Sequence, residues 1–450
     1  MLEEINRFLG AVTPIVVVLA GGSFAVMLRG LPFSRPHLFL RALRGGGVGG
    51  TSPVKSLLLA LAGTLGVGNI VGVSSAIALG GAGAVFWMWI SAVFAMFLKY
   101  AEVVLALAFR KTLADGSHRG GAPYYIRAIL GKRTSPRRAG LEASGFAVLC
   151  LINAILMGCV IQSNAAARAM EASFSVPPLL CGLLVSLLCL LLTARGKRVI
   201  TAVTSILVPV MSGVFLLLSL AVLIGHREHI LPTLARIVTS ALSPSAMGGG
   251  IVGFLTSRAL RFGTVRGIIS NEAGCGTSPT AHAASNAKSP VEQGLFGIIE
   301  VAVDTLLLCT VTALSVMIGW DGTLADDPMR MTVRAYTSAL GGAPWVGKLL
   351  SVSILCFAFA TLLCWCHYGS ESLIFLAENR KSTLTAERAS RIFSVVFCVS
   401  AAVGALTAPA LVWSLTDLIT GTMTLFNTAI LLVGRRHVRR ATEDYFGISP

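Results

Sequence analysis

Apolar residues occur in long runs along almost the whole chain, and short polar segments separate these runs. A helix needs about 20 consecutive apolar residues to cross the hydrocarbon core of a bilayer. Eleven runs reach or approach this length. They are residues 8–27, 54–79, 82–108, 145–165, 178–192, 199–224, 264–287, 294–319, 348–376, 392–407 and 410–433. The pattern therefore predicts an all-α polytopic membrane protein with eleven transmembrane helices.

The second run contains glycines and an asparagine in its middle, within the stretch LAGTLGVGNIVGV at residues 61–73. Each glycine costs a helix roughly 1 kcal/mol relative to alanine, so four of them predict an interrupted helix. The residues concerned are Gly63, Gly66, Gly68, Asn69 and Gly72. Free backbone groups at membrane depth are tolerated only against protein or a cavity, which makes the break a candidate ion and solute site. Close helix packing through small residues is the alternative explanation.

A second interrupted helix is predicted at residues 264–287, where Gly274, Gly276 and Pro279 break the apolar run. Asn271 and Glu272 place polar groups near its middle. Five spans run from the first broken helix to the start of the second, so one extra N-terminal helix precedes two halves of five spans each. Interrupted helices at matching positions of two halves are typical of an inverted-repeat transporter with its binding site near the midplane.

This arrangement divides the chain into five parts. They are the N-terminal helix with a basic cytoplasmic loop (1–53), the first repeat (54–225), an outside loop with a helix (226–263), the second repeat (264–434) and a cytoplasmic tail (435–450). We also expect two helices that do not cross the membrane, at residues 246–262 and 329–340.

Composition agrees with a membrane protein. Of the 450 residues, 55% are hydrophobic and only 12% are charged, and the mean hydropathy is +0.80. A net charge of +16 suggests nucleic acid as a partner, but most of the 36 Lys and Arg residues lie in alternate short loops. The positive-inside rule explains this distribution without nucleic acid, and it places the N-terminus outside and the C-terminus in the cytoplasm.

The chain has no Walker A motif and no metal or redox cysteine spacing, so neither an enzyme nor a primary pump is expected.

Several stretches resemble signature segments of the alanine or glycine:cation symporter family, the sodium:alanine symporters. They are GTLGVGNIVGVSSAIALGGAGAVFWMW at 63–89, KYAEVVLA at 99–106, GGAPYYI at 120–126, IQSNAAA at 161–167, RGIISNEAGCGTSP at 266–279, EVAVDT at 300–305 and WSLTDL at 413–418. These segments occur in order and extend over most of the chain. The family is similar to the amino acid, polyamine and cation superfamily, whose fold is a five-plus-five inverted repeat. This fold agrees with the span count above.

The resemblance implies a secondary active transporter in the plasma (inner) membrane. It would import alanine, glycine or D-alanine with sodium by alternating access, with no cofactor beyond the coupling ion. Two alternatives stay open: a proton-coupled symporter or exchanger of the same substrates, and a transport-dead amino acid sensor. Val67 and Ser370 depart from the family pattern. These departures are the reason for retaining the transport-dead sensor as an alternative.

A zwitterionic amino acid in a low-dielectric site needs partners for both its carboxylate and its ammonium group. Backbone amides at the start of a half-helix suit the carboxylate, and side-chain amides or carbonyls at a break suit the ammonium group. The candidate set is Gly66, Gly68, Asn69, Ile70, Gln162, Asn164, Asn271, Glu272 and Gly274. The same amides can instead form bonds between helices.

Sodium is a hard cation that prefers several oxygen ligands. In folds related to the family, one ion joins the first broken helix to the eighth helix of the ten. The resemblance thus implies a sodium site at the hydroxyl of Thr361 and the carbonyls of Ala62, Gly63 and Gly66. Ordinary back-bonding of the Thr361 hydroxyl within its own helix is the alternative.

Acidic residues in apolar surroundings form a further group of candidates, namely Glu102, Glu272, Glu300, Asp304 and Asp417. A charge at the bilayer centre costs roughly 2.5–3.5 kcal/mol on translocon scales, so these residues are expected to be paired, protonated or functional. Lys99 lies three residues from Glu102 and is expected to pair with it. Glu300 and Asp304 are four apart and are expected to share one helix face.

Overall fold

The structure is a computed structural model that describes residues 2–30, 34, 51–242, 257–320, 327–380, 382–407 and 409–447, and most of these residues are helical. The first half contains α1 (Leu2–Met27), α2 (Pro53–Thr64), α3 (Val71–Gly80), α4 (Gly83–Ala108), α5 (Ala122–Gly131), α6 (Pro136–Ile155), α7 (Ile161–Phe174), α8 (Pro178–Thr193), α9 (Lys197–Gly225) and α10 (Arg227–Ala241). A short antiparallel hairpin of β1 (Lys111–Thr112) and β2 (His118–Arg119) follows α4.

The second half repeats the succession of a broken helix followed by long spans. It contains α11 (Arg258–Asn271), α12 (Pro279–Ala283), α13 (Pro290–Val301), α14 (Thr310–Gly319), α15 (Pro328–Ala339), α16 (Pro344–Asn379), α17 (Ala386–Gly404) and α18 (Pro409–Phe446). The predicted helix at residues 329–340 is confirmed as α15.

Two of the spans contain a π-helical turn near their middle. The turn Leu156–Val160 joins α6 to α7, and the turn Ala302–Cys309 joins α13 to α14. The resulting continuous helices are Pro136–Phe174 and Pro290–Gly319. Because π-helical turns widen the helix locally and often occur at functional sites, both turns mark positions of interest.

The predicted all-α polytopic membrane fold is confirmed, and every predicted span coincides with a helix or a helix pair. Within the described ranges, seven helices are long and apolar enough to cross a membrane, and α2, α3 and α8 are shorter apolar helices. Large apolar side chains are exposed along the outer faces of α8, α9 and α17, including Leu184, Leu187, Ile206, Val210 and Val399. An apolar outer surface of this kind suits contact with lipid.

The region before the second broken helix differs from the prediction. The Ser257 hydroxyl caps α11 by accepting a hydrogen bond from the Leu260 amide (3.3 Å), so Arg258 and Arg261 belong to the first turns of α11 and not to a separate outside helix. The rest of the predicted helix, residues 246–256, lies outside the described residues. Helix α10 was missed because its charged residues mask a short amphipathic pattern.

The predicted cytoplasmic tail continues the last span as helix. α18 extends to Phe446 because its C-terminal part packs against the protein: Val438 is buried, and the hydroxyl groups of Thr442 and Tyr100 lie 2.8 Å apart.

Helices α4 and α11 cross so closely that only a glycine fits at the contact. A Cβ on Gly263 would lie 2.2 Å from the backbone oxygen of Ala84. Gly263→Ala is therefore expected to destabilise the protein by about 1–3 kcal/mol through overpacking. Thermal unfolding of the purified protein in detergent measures this as a lower Tm. Gly213→Ala in α9 is the control, since no atom lies within 4 Å of its added Cβ. Equal Tm values for the two variants would contradict the close crossing.

Candidate functional site

The first broken helix is interrupted at the predicted position, between α2 and α3. Residues Val67–Asn69 form a single 3-10 turn in the gap. The Asn69 side chain stabilises the turn, because its Oδ1 accepts a hydrogen bond from the backbone amide of Gly66 (3.2 Å). A Cβ on Gly66 would lie 2.7 Å from Thr361 Oγ1. Glycine is thus required at this position by the close approach of α16.

Gln162 joins α7 to the first break. Its Oε1 accepts a hydrogen bond from the Val67 amide (3.0 Å), and its Nε2 donates to the Met157 carbonyl in the π-helical turn (3.2 Å). Gln162 is buried beside the broken segment. Its two hydrogen bonds fix the orientation of that segment relative to α7.

The two broken helices meet at Asn69. The Asn69 Nδ2 donates to Ser270 Oγ (3.0 Å) and to Asp304 Oδ1 (2.7 Å). The hydroxyl groups of Ser270 and Thr305 donate to the other carboxylate oxygen, Asp304 Oδ2, at 2.7 and 2.8 Å. Ser270 lies at the end of α11, just before the second break, and Asp304 lies in the π-helical turn between α13 and α14. We refer to Asn69, Ser270, Asp304 and Thr305 as the central junction.

The central junction places the side-chain oxygens of Ser270, Asp304 and Thr305 in a buried place, and Asn69 donates to the first two through its Nδ2. All four residues are at most 1% exposed. In the described part of the chain, no Lys or Arg side chain forms an ion pair with Asp304. A buried carboxylate without a basic partner is costly. Hydroxyl and carboxylate oxygens are also the ligands that a hard cation prefers, so the site can compensate the charge by binding a cation.

The second break follows α11 at residues 272–278, as predicted. Glu272, Gly274 and Gly276 all have positive φ angles, of 53°, 81° and 82°. This left-handed backbone explains the two glycines. The Asn271 side chain fixes the start of the break, since its Nδ2 donates to Thr305 Oγ1 (3.1 Å) and its Oδ1 accepts from the Ala273 amide (3.0 Å).

A buried charged network lies beside the second break. Lys99 Nζ lies 3.3 Å from Glu300 Oε1 and also donates to the Ser278 hydroxyl. His282 Nε2 lies 2.8 Å from Glu300 Oε2, and its Nδ1 lies 2.8 Å from Gln293 Nε2. The prediction that Lys99 pairs with Glu102 is therefore wrong. Helix α4 packs against α13, and this places Glu300 nearer to the ammonium group.

Glu102 instead holds the second break in place. Its Oε1 accepts hydrogen bonds from the Gly276 amide (2.9 Å) and from Asn427 Nδ2 (2.6 Å). Asn427 also donates to the carbonyl of Gly274 (2.9 Å). Glu272 accepts a hydrogen bond from the Thr277 hydroxyl through one oxygen. The other oxygen of each glutamate is buried and has no hydrogen-bond donor among the described residues.

Two of the four predicted sodium ligands, Thr361 and Ala62, lie together. The Thr361 hydroxyl is 3.0 Å from the Ala62 carbonyl and 3.0 Å from the Phe357 carbonyl of its own helix. The Thr361 hydroxyl therefore contacts α2, as the ion site requires, and also bonds back to its own helix, as the alternative explanation requires. The Gly63 carbonyl accepts from Trp365 Nε1 (3.2 Å), so α16 contacts α2 along this whole stretch.

Asn164 lies apart from the breaks. Its Nδ2 donates to the Gly404 and Thr407 carbonyls at 3.2 and 2.8 Å, and its Oδ1 accepts from Arg168 Nε. It therefore connects α7 to the end of α17.

Conversely, the candidate set from the sequence omits Ser270 and Asp304. Asp304 was noted only as an acid in an apolar run, and Ser270 is the residue before Asn271 in the resembling segment.

A small cavity lies between the first break and α7. It is lined by Gly63, Thr64, Gly66, Gly68, Met157, Ile161, Gln162, Ile269 and Trp413. Its volume of about 10 Å³ has room for roughly one water-sized sphere. An amino acid can enter only after the surrounding helices move apart.

Comparison with known proteins agrees with the geometry. The sequence profile of the sodium:alanine symporter family matches residues 1–448. An uncharacterised transporter of Haemophilus influenzae is 33% identical and covers 99% of this chain and 96% of that protein. The sodium/alanine symporter AgcS of Methanococcus maripaludis is 30% identical and covers 96% and 94%. The structure of a Na+-coupled sialic acid symporter, 13% identical, superimposes with a TM-score of 0.57 over 95% of this chain and 86% of that one, which shows a shared fold.

Proposed function

Because the chain belongs to the sodium:alanine symporter family, we propose that it imports alanine, glycine or D-alanine together with sodium by alternating access. It is a multi-pass membrane transporter and not an enzyme. The observation that carries the proposal is the central junction. There Asn69 of the first broken helix and Ser270 of the second both bond to the buried carboxylate of Asp304.

The lining of the small cavity supports a small substrate. This lining combines the glycines of the first break with the apolar side chains of Met157, Ile161 and Trp413. We place the substrate carboxylate at the backbone amides of Gly66, Gly68, Asn69 and Ile70, where the start of a half-helix favours an anion. In this conformation the amides of Gly66, Asn69 and Ile70 donate within the first break, so the carboxylate would replace these bonds when the helices move apart. Gln162 and the second break at Asn271, Glu272 and Gly274 would then serve the ammonium group.

Sodium would act by joining elements that move relative to one another. An ion at the Asp304 carboxylate would connect the two broken helices, and an ion at the Thr361 hydroxyl and the Ala62 carbonyl would connect α16 to α2. Each ion stabilises only those conformations in which its ligands lie together. Its binding therefore shifts the population toward the state that is competent to bind substrate.

Thr361→Val tests the second of these ion positions. Valine keeps the volume of the side chain but removes the hydroxyl, so the sodium concentration for half-maximal alanine uptake is expected to rise about tenfold, which corresponds to one lost ligand worth roughly 1.4 kcal/mol. The measurement is uptake of labelled alanine into proteoliposomes at varied sodium. Thr361→Ser keeps the hydroxyl and should keep the sodium dependence. An unchanged sodium dependence in the valine variant would remove Thr361 from the ion site.

Proton coupling is the second candidate, and the network beside the second break favours it. His282 bonds to Glu300, and Glu272 and Glu102 each carry a buried oxygen without a described donor. Buried carboxylates of this kind can hold and release protons in a transport cycle.

Uptake under defined gradients tests the proposal and separates it from its rivals. Purified protein in proteoliposomes is given labelled alanine with an inward sodium gradient, an inward proton gradient, or neither. We expect accumulation above the equilibrium level only with sodium. Accumulation with the proton gradient alone would establish the proton-coupled alternative. Exchange against internal alanine without net accumulation would identify an exchanger, and binding without uptake would identify a sensor.

A further inference from the structure

A second cavity, much larger than the first, opens on the face that the basic loops predict to be cytoplasmic. It has a volume of about 580 Å³ and lies among the adjoining ends of α8, α9, α16 and α17, with Arg119 from the hairpin at its edge. This cavity is separate from the central junction. On α16, Thr361 and Cys364 face α2, whereas His367, Ser370 and Glu371 line the second cavity.

Positive charge exceeds negative charge along the walls of this cavity. Arg119 is neutralised, since it lies 2.8 Å from Glu371 and 3.1 Å from Glu378. Three further cations line the cavity, namely Arg195, Lys197 and Arg391. In the described ranges none of these three has a carboxylate within ion-pair distance, and the other carboxylate in the lining is the exposed Glu387. The cavity therefore suits an anion.

Two helices also begin at this cavity. α9 begins at Lys197 after Gly196, and no side chain caps its first amides. α17 begins at Ala386, which lines the same space. The Thr385 hydroxyl caps α17 by accepting a hydrogen bond from the Arg388 amide (3.3 Å). The positive ends of both helix dipoles lie at the cavity, and the uncapped start of α9 suits a phosphate group.

An unpartnered side chain points to a ligand independently of the helix ends. His367 lines the cavity and its side chain is only 5% exposed, yet its Nε2 has no hydrogen-bond partner among the described residues. Its Nδ1 is 4.0 Å from Glu371 Oε1, which is too far for a hydrogen bond. A buried imidazole nitrogen without a partner costs free energy unless a ligand supplies one.

The cavity lies next to an apolar outer surface. Leu190 and Val395 form part of its wall, and Leu187, Leu191 and Ile392 of the same two helices are each about half exposed. A polar, cationic cavity at the end of an exposed apolar face fits a molecule with a charged head and hydrocarbon chains. From this geometry we propose that the cavity binds the phosphate of an anionic phospholipid headgroup, with the acyl chains lying along α8 and α17.

The test measures lipid binding and is independent of transport. The full-length protein is delipidated in detergent and titrated with phosphatidylglycerol or phosphatidylethanolamine, and bound lipid is counted by native mass spectrometry. Inorganic phosphate is titrated separately and followed by thermal unfolding. Lys197→Gln and Arg391→Gln each remove one cavity cation. Arg133→Gln removes an exposed cation elsewhere on the same predicted face and is the control.

We expect phosphatidylglycerol to bind more tightly than phosphatidylethanolamine, and each cavity variant to weaken it about tenfold, as the loss of one charge-assisted contact predicts. The control variant should bind as the wild type does. If inorganic phosphate raises the Tm of the wild type but not of Lys197→Gln, and the two lipids bind equally, a soluble phosphate compound replaces the lipid as the ligand. If neither phosphatidylglycerol nor phosphate distinguishes the wild type from the cavity variants, the anion site itself is overturned.

Discussion

Asp304→Asn is expected to reduce sodium-driven alanine uptake about 100-fold, an effect equivalent to roughly 2.7 kcal/mol. The substitution keeps the shape of the side chain but removes the charge that would attract the cation. It also replaces one acceptor oxygen with an amide nitrogen, although Asn69, Ser270 and Thr305 all donate to this carboxylate. Uptake into proteoliposomes under a sodium gradient measures the loss.

Glu292→Gln is the control for Asp304→Asn. Glu292 lies in the first turn of α13, upstream of the turn that carries Asp304, and its carboxylate accepts a hydrogen bond from the Tyr445 hydroxyl (3.3 Å) near the surface. This variant should transport as the wild type does. If Asp304→Asn folds normally and retains sodium-driven uptake, the central junction is not the ion site.

Gly66→Ala is expected to lower alanine uptake about 100-fold, since an added methyl group at the first break has no free space. Its Cβ would lie 2.7 Å from Thr361 Oγ1 and 2.9 Å from Gln162 Oε1. Both side chains are anchored by other hydrogen bonds, so the broken segment itself must shift. The initial rate of sodium-driven uptake measures the effect.

Gly72→Ala provides a matched comparison in the next helix. It lies in α3, six residues further on, where no atom is within 4 Å of the added Cβ. Alanine there favours helix by about 0.5–1 kcal/mol, so uptake should be retained and Tm should not fall. Equal uptake by the two variants would show that the backbone at Gly66 is not part of the binding site.

The elements that depend on local sequence could be predicted. Hydropathy locates the spans because burial in lipid acts on each run of about 20 residues separately. The breaks could be found because Gly66, Gly274 and Gly276 disturb helix geometry wherever they occur. Three positions confirm this reasoning: the 3-10 turn at Val67–Asn69 and the positive φ angles of Gly274 and Gly276.

The contacts between distant segments could not be predicted. Asn69 and Asp304 are 235 positions apart, and no spacing rule connects them. Glu300 and Asp304 are only four residues apart, yet they contact different partners, since Asp304 bonds to Asn69 and Ser270. Glu300 bonds to Lys99 and His282 instead.

The partner of a buried charge depends on which helices pack together, and this explains the error at Lys99. Its nearest acid in sequence is Glu102, but α4 presents Lys99 to Glu300 of α13 and Glu102 to the second break. Asn164 is a similar case, since its neighbours are the Gly404 and Thr407 carbonyls. Residue type alone did not distinguish it from Gln162, which lies two positions earlier and bonds to the first break.

The most direct test of the coupling at the central junction is the reciprocity of sodium and alanine binding. Equilibrium binding of labelled alanine to the purified protein is measured at increasing sodium and constant ionic strength, and sodium binding is measured at increasing alanine. Linkage requires each ligand to raise the affinity for the other by the same factor. We predict a reciprocal increase of about tenfold or more that disappears in Asp304→Asn. Alanine affinity that is independent of sodium in the wild type would contradict the account.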